Sequence, residues 1–262
     1  MNRPQPRPQP KPPLSPEETQ ARLLYRDGLI LILDKPAGLP VHAGPGGGPN
    51  LEQCFEALRF GLRAPPALAH RLDRDTSGCL VLGRHHKALA KLGRLFREGL
   101  VDKTYWAAVV GSPPERAGRI EAPLLKTSRR DGGWRMIVDP KGLPAATTYR
   151  VLGSGDGLTW LELNPETGRT HQVRVHCAEL GCPILGEPMY GQLTPEHRKP
   201  PLHLHARGVV LPLSKNKPPI AVTAEPPEHM RAALKACGWT SRQPRMAVET
   251  RKAVPSPDAG EG

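Results

Sequence analysis

The pattern of apolar and polar positions alternates short apolar runs with amphipathic stretches. Leu29-Ile30-Leu31-Ile32-Leu33 is a continuous apolar run stopped by Asp34-Lys35-Pro36, which predicts a buried strand. A glycine-rich loop (residues 44–49) then leads to Asn50, whose side chain suits an N-cap. The following Leu51, Cys54, Phe55 and Leu58 recur at helical spacing. Cys79-Leu80-Val81-Leu82 reads as another strand. After it, Leu89, Leu92, Leu95 and Phe96 fall largely opposite Lys87, Lys91, Arg94 and Arg97, as on an amphipathic helix. Further strands are predicted at 103–110, 134–138, 145–152, 158–163, 204–211 and 219–224. Residues 170–180 fit a strand or a helix equally, and a last helix follows Pro226-Pro227 over roughly 228–237. Strands joined by short turns, with few helices outside them, predict an α+β sheet protein.

Composition narrows this picture. With 27 Gly and 32 Pro among 262 residues, a helical bundle or coiled coil is excluded. Residues 1–16 hold seven prolines and a single large apolar side chain, Leu14, and are expected to form an extended tail. Residues 241–262 have the same character, which leaves a folded body over 17–240. Net charge is +12; the first tail contributes +3 and the second +1, so the body retains +8. A body this basic suits a polyanionic partner. Aromatics are only 4%, which disfavours a single-strand binder built mainly on stacking. The five cysteines are odd in number and form no C-x-x-C pair, as expected of reduced, buried thiols in a cytoplasmic chain. The N-terminal residues lack the apolar stretch expected of a signal peptide, and no run of about 18 apolar residues predicts a membrane-spanning helix. No obligatory protein partner is evident.

Four stretches carry candidate chemistry. His70-Arg71-Leu72-Asp73-Arg74-Asp75-Thr76-Ser77-Gly78 is dense in ionisable and hydroxyl groups. In extended chain Arg71 and Asp73 project to one side, and flanking arginines favour a carboxylate over an acid. By itself this stretch also fits a surface loop with a local ion-pair network, worth little in energy. The second stretch runs from Asn164 to His176. Its Pro-Glu-Thr-Gly turn is followed by Thr170, a fair N-cap, and a helix there would put His171 and Arg174 on one face. On the third, Tyr105 and Trp106 point to opposite faces of a strand. On the fourth, alternation gives His203 and His205 one face.

Taken together these stretches resemble one family. HRLDRDTSG at 70–78, KTYWA at 103–107 and GRTHQVRVH at 168–176 are similar to the motifs of RluA-type RNA pseudouridine synthases, as are DKPAGLPVHAG at 34–44 and LHLHA at 202–206. The resemblance implies a pseudouridine synthase fold: a central, mostly antiparallel mixed sheet in two halves with flanking helices and a catalytic cleft between them. It further implies Asp73 as the catalytic carboxylate, Arg174 as its ion-pair partner and Tyr105 as the ring beneath the target uracil. Arg71 would fill the RNA stack where that base had been. His70, Arg74, Thr76 and His171 complete the implied substrate-binding set. Isomerising uridine breaks N1–C1′ and joins C5 to C1′, so no cofactor and no metal are expected. An ionised aspartate could attack C1′, attack C6 or take the C2′ proton.

Rival readings start from other residues. His171, His176, Cys177, Cys182, His203 and His205 could suggest a metal site, but their spacing matches no common zinc signature. A glycosidase-like hydrolase needs a second carboxyl, for which Asp75 is the nearest in sequence. A non-catalytic RNA-binding or RNA-folding protein is the alternative from another class. Many relatives carry a small N-terminal RNA-binding domain of S4 type. Only about 30 residues precede the first predicted strand, so that domain is expected to be absent. The expected substrates are then ribosomal RNA, transfer RNA or both.

Overall fold

The structure is a computed structural model that describes residues 12–44, 47–128, 133–214 and 216–241. In chain order the elements are α1 (Pro16–Ala21), β1 (Leu23–Arg26), β2 (Ile30–Lys35), a 3-10 helix (Leu51–Leu58), β3 (Ala67–Leu68), β4 (Ser77–Gly83), α2 (His86–Arg97), β5 (Asp102–Val110) and β6 (Ala117–Glu121). There follow β7 (Leu124–Ser128), β8 (Trp134–Val138), β9 (Ala146–Gly155), β10 (Leu158–Pro165), α3 (Gln172–Glu179), α4 (Pro195–Arg198), β11 (Leu204–Leu211), β12 (Ile220–Thr223) and α5 (Glu228–Ala236).

The apolar run at 29–33 becomes β2, buried on both faces, as a continuous hydrophobic run requires of an interior strand. It pairs antiparallel with β4, whose seven residues are all buried. The main sheet runs β1-β2-β4-β11-β5-β10-β9-β6, with β3 on β4 and β12 on β11; β7 and β8 form a separate hairpin. The β4–β11 pair is parallel and the rest antiparallel. That parallel seam is short, with register partners only at His205↔Ser77 and Ala206↔Gly78, and it joins the two halves of the sheet.

Each half has its own core. The 3-10 helix packs Leu51, Cys54, Phe55 and Leu58 on one face of the β2/β4 half, and α2 packs Leu92 and Leu95 on the other. In the second half, α3 packs Val173 and Cys177 against β5 and β10, and α5 covers the Trp106–Trp160 pair. Tyr105 touches the cores of both halves, which places its ring at their junction.

Gly78 shows why the seam needs its glycine. Its φ is +106°, and a Cβ there would lie 2.3 Å from the Ala206 carbonyl oxygen on the partner strand. Beside it, His205 fastens the seam: Nε2 faces the Ala224 carbonyl at 3.1 Å and therefore donates, leaving Nδ1 to accept from the Ser77 hydroxyl at 2.8 Å.

Several expectations shift. The N-terminal tail does not extend to residue 16, because Ser15 caps α1, Pro16 is its first residue and Leu14 packs on the core. Of the two expected tails, residues 1–11 and 242–262 lie outside the described residues. The helix expected after Asn50 is 3-10 in type. Residues 170–180 resolve as helix. Thr170 is not its cap: α3 starts at Gln172, and His171 precedes it in the left-handed region at φ 53°. Gln172 fixes this entry by accepting from Thr167 Oγ1 and the Arg169 N–H while donating to Ala146 O and Thr147 Oγ1.

Candidate active site

A cavity of about 400 Å³ opens where the two halves of the sheet meet. One wall is the loop carrying Arg71, Asp73 and Thr76; the other is the start of α3 with His171 and Arg174; Tyr105 of β5 lies between. The loop leads into β4, which the seam holds beside β5 through β11. Residues 101 positions apart thereby meet: Arg174 Nη1 lies 3.4 Å from Asp73 Oδ2.

Arg174 is only 5% exposed, and its charge requires more than Asp73. Glu187, fully buried in the segment after α3, supplies it. Its carboxylate accepts from Arg174 Nε at 2.8 Å and Nη2 at 2.7 Å, a two-point pairing. The backbone N–H groups of Met189 and Tyr190 also donate to it. Burial works against the guanidinium charge, yet the hydrogen bonds and charge of Glu187, with Asp73, outweigh it and raise the Arg174 pKa. The fork is thus held from behind while Nη1 is offered to Asp73.

His171 approaches Asp73 from the other side, with Nε2 3.8 Å from Oδ2. Its Nδ1 is 2.7 Å from the Tyr190 hydroxyl, which itself accepts from the Met136 N–H. With the tyrosine proton on Nδ1, the neutral ring carries its own proton on Nε2, the nitrogen that faces Asp73. Burial lowers the His171 pKa, with Asp73 opposing and Arg174 reinforcing, in keeping with this neutral form.

Tyr105 has its phenol pKa raised by burial and then by the charge of Asp73, so its hydroxyl stays protonated. Asp73 itself sits on a tight turn, its carbonyl accepting the Thr76 N–H at 3.2 Å. The turn is braced from below by Lys35. This fully buried side chain donates to the carbonyls of Pro36, Leu39 and Arg74 at 2.7–2.8 Å. Burial lowers its pKa to about 8, against the pull of Asp75, Asp73 and Asp34.

Of the expected site residues, Asp73, Arg174, Tyr105, Arg71, Thr76 and His171 all line the cavity. His70 lines it too; its Nε2 accepts the Val81 N–H at 2.9 Å and its ring stacks on Phe96. Burial, then Lys103, pushes its pKa down to about 3. One expectation needs correction: Arg74 does not line the cavity, and its exposed guanidinium pairs with Asp75 at 3.1 Å, so the cation on Asp73 is Arg174. Thr76 is 2% exposed, and its hydroxyl has no partner among the described residues.

The six histidines and cysteines considered as metal ligands are dispersed rather than convergent. His176 sits between Thr147 and Ala122, His203 on Pro201 and His205 in the seam. Glu187, Tyr190 and Lys35 escaped notice in the sequence. Glu187 did leave a signal, as the one acid between Glu179 and Glu196 in a run otherwise apolar or turn-forming.

A sequence profile described as RNA pseudouridylate synthase matches residues 29–179, a stretch that holds Asp73, Tyr105 and Arg174. The chain belongs to this family. It is an RNA pseudouridine synthase of the RluA type, an isomerase that converts uridine to pseudouridine in RNA. Among its relatives, an uncharacterised RNA pseudouridine synthase of Zymomonas mobilis is 44% identical over 79% of this chain and 93% of its own. A mitochondrial pseudouridylate synthase of Xenopus tropicalis is 34% identical, covering 83% and 81%. Ribosomal large subunit pseudouridine synthase C of Buchnera aphidicola is 36% identical, covering 75% and 65%. Among solved structures, human RNA pseudouridylate synthase domain containing 4 superposes with a TM-score of 0.71 at 30% identity, over 84% of this chain and 94% of that one. The pseudouridine synthase fold expected from the motifs is therefore the fold of this chain. Among the described residues no helix is long and apolar enough to cross a membrane.

Proposed function

We propose that Asp73 is the catalytic carboxylate of this synthase, that Arg174 orients it, and that Tyr105 carries the uracil. The observation that carries the reading is the 3.4 Å approach of Arg174 Nη1 to Asp73 Oδ2 in the cavity between the sheet halves. The cavity, at about 400 Å³, suits one everted nucleotide and not a base pair. A target uridine leaves its stack at a cost of a few kcal/mol. Arg71, exposed at the cavity wall, offsets part of this by occupying the vacancy.

Chemistry then requires that N1–C1′ break, the uracil turn, and C5–C1′ form, with the C5 proton lost and N1 gaining one. Attack at C1′, attack at C6 and removal of the C2′ proton all bring an Asp73 oxygen to the junction of base and ribose. Arg174 pins the carboxylate for each. The half-buried Tyr105 ring gives the freed uracil a flat apolar wall, and His171 Nε2 stands 3.8 Å from Asp73 Oδ2, placed to donate a proton there.

The substrates we propose are uridines of ribosomal RNA, transfer RNA or both, the polyanions that a chain of net charge +12 attracts. The proposed compartment is the cytoplasm, where five buried, unpaired cysteines stay reduced. Chemical mapping of pseudouridine across both RNA classes, with and without this gene, tests the assignment. Positions lost on deletion and restored by the wild-type gene, but not by Asp73→Ala, are expected. Restoration by Asp73→Ala would leave the chain as an RNA-binding or RNA-folding protein.

A further inference from the structure

Helix α2 carries a charge pattern that its own stability does not explain. Lys87, Lys91 and Arg94 follow one another at i, i+4 and i+7, a single row, with Arg97 beside it; all four are exposed. The opposite face buries Ala88, Leu92 and Leu95. The helix contains no acid, and none of the four cations makes an ion pair within 4 Å among the described residues. Glu98, the C-cap residue, ends the row.

Arg94 and Arg97 in the last turn complement the helix dipole. Lys87 in the first turn opposes it, and no first-turn acid compensates. A row of like charges at i, i+4 also repels itself. An external anion would offset these costs. Phe96, on the side of the helix away from the row, lines the catalytic cavity and stacks on His70, so the last turn, which carries Arg94 and Arg97, lies at the cavity rim with the row on its outward side.

We infer that the Lys87–Lys91–Arg94 row is a phosphate track that holds the RNA strand running away from the everted uridine. The row spans about 10 Å along the helix axis from Lys87 to Arg94, long enough to face more than one phosphate. The inference rests on RNA entering the cavity at Asp73. It adds that the footprint extends along α2 and that this part is read by charge and not by base identity.

The test compares the full-length protein with Lys87→Gln/Lys91→Gln/Arg94→Gln, measuring affinity for an unmodified large-subunit ribosomal RNA transcript across a salt series. Three lost phosphate contacts should lower the slope of log affinity against log salt by about 2, at roughly 0.7 per contact for single-stranded RNA. At 0.1 M salt that corresponds to affinity weaker on the order of 100-fold. Lys87→Arg/Lys91→Arg/Arg94→Lys should keep the wild-type slope. A trinucleotide with a central uridine, too short to run from the cavity along the helix, should bind both proteins alike. A slope within about 0.5 of wild type for the glutamine variant overturns the track. So does equal loss in the charge-preserving variant or with the trinucleotide. Failure of the site assignment reads out separately: wild-type protein that binds the transcript yet forms pseudouridine in no RNA overturns that reading, while the slopes still decide the track.

Discussion

Removing Glu187 should be more damaging than removing any exposed charge of this chain, although it touches no substrate in the proposed reaction. Its carboxylate accepts four N–H groups: Arg174 Nε and Nη2 and the backbone of Met189 and Tyr190. Glu187→Ala leaves those donors unpaired in a site where Arg174 is 5% exposed and Glu187 not at all. Breaking a buried pair from one side costs about 3–5 kcal/mol. The residual 3.4 Å contact to Asp73 places the expectation near the lower end, about 3 kcal/mol. That is a large part of a domain's typical stability of about 5–15 kcal/mol. Urea unfolding followed by tryptophan fluorescence reads it as a lower midpoint at unchanged slope. Glu187→Ala/Arg174→Met should recover much of the loss, because replacing both charges by apolar groups removes the orphaned cation. Pseudouridine formation should not recover with it. Glu187→Ala within about 1 kcal/mol of wild type, or a double variant costing the sum of the singles, would refute the claim that Glu187 and Arg174 act as one unit.

Other outcomes follow from single contacts. Tyr105→Phe should fold and bind RNA, since in the proposed role the ring face and not the hydroxyl holds the uracil, whereas Tyr105→Ala should lose turnover at least 100-fold, about 3 kcal/mol; equal loss in both would assign the role to the hydroxyl. Gly78→Ala should fail to give stable protein, because its Cβ would meet Ala206 O at 2.3 Å; a Tm within a few degrees of wild type would contradict the seam geometry. Acid should unfold the chain in part through His70, whose folded pKa of about 3 lies below its unfolded value near 6.5. The unfolded chain binds the extra proton between these values, so stability is full above about 6.5 and falls towards 3, by at most about 1.4 kcal/mol per unit. His70→Gln should flatten the measured slope by up to that amount, and an unchanged slope would remove His70 from the acid response.

Periodicity made most of the frame legible. The β2 run, the strands at 158–163 and 204–211 and the two faces of α2 stood in the pattern because burial on one or both faces dictates it. Among the elements it missed, β1 and β6 are short strands that alternate exposed positions with less exposed ones and place only Leu23, Tyr25 and Ile120 on a core, too few for a clear apolar period. Asn50 sat where a helix start was expected, but local spacing does not separate 3-10 from α geometry. The candidate site was legible chiefly through its motifs, since nothing local links Asp73 to Arg174 over 101 positions. What stayed hidden was the support. Arg71 and Arg74 flank Asp73 in sequence and suggested local charges on it, yet the turn at 73–76 sends Arg74 to Asp75. Lys35 resembled the polar end of a strand, and only three convergent carbonyls reveal it as a brace.

Whether the Asp73 carboxylate carries the reaction is decided by RNA carrying tritium at C5 of its uridines. Joining C5 to C1′ expels that hydrogen, so tritium released to water counts each completed isomerisation. Purified wild-type protein should release it, and Asp73→Asn should release none above background while binding the same RNA with nearly wild-type affinity. Release by Asp73→Asn at a rate within tenfold of wild type would take the catalytic role away from Asp73.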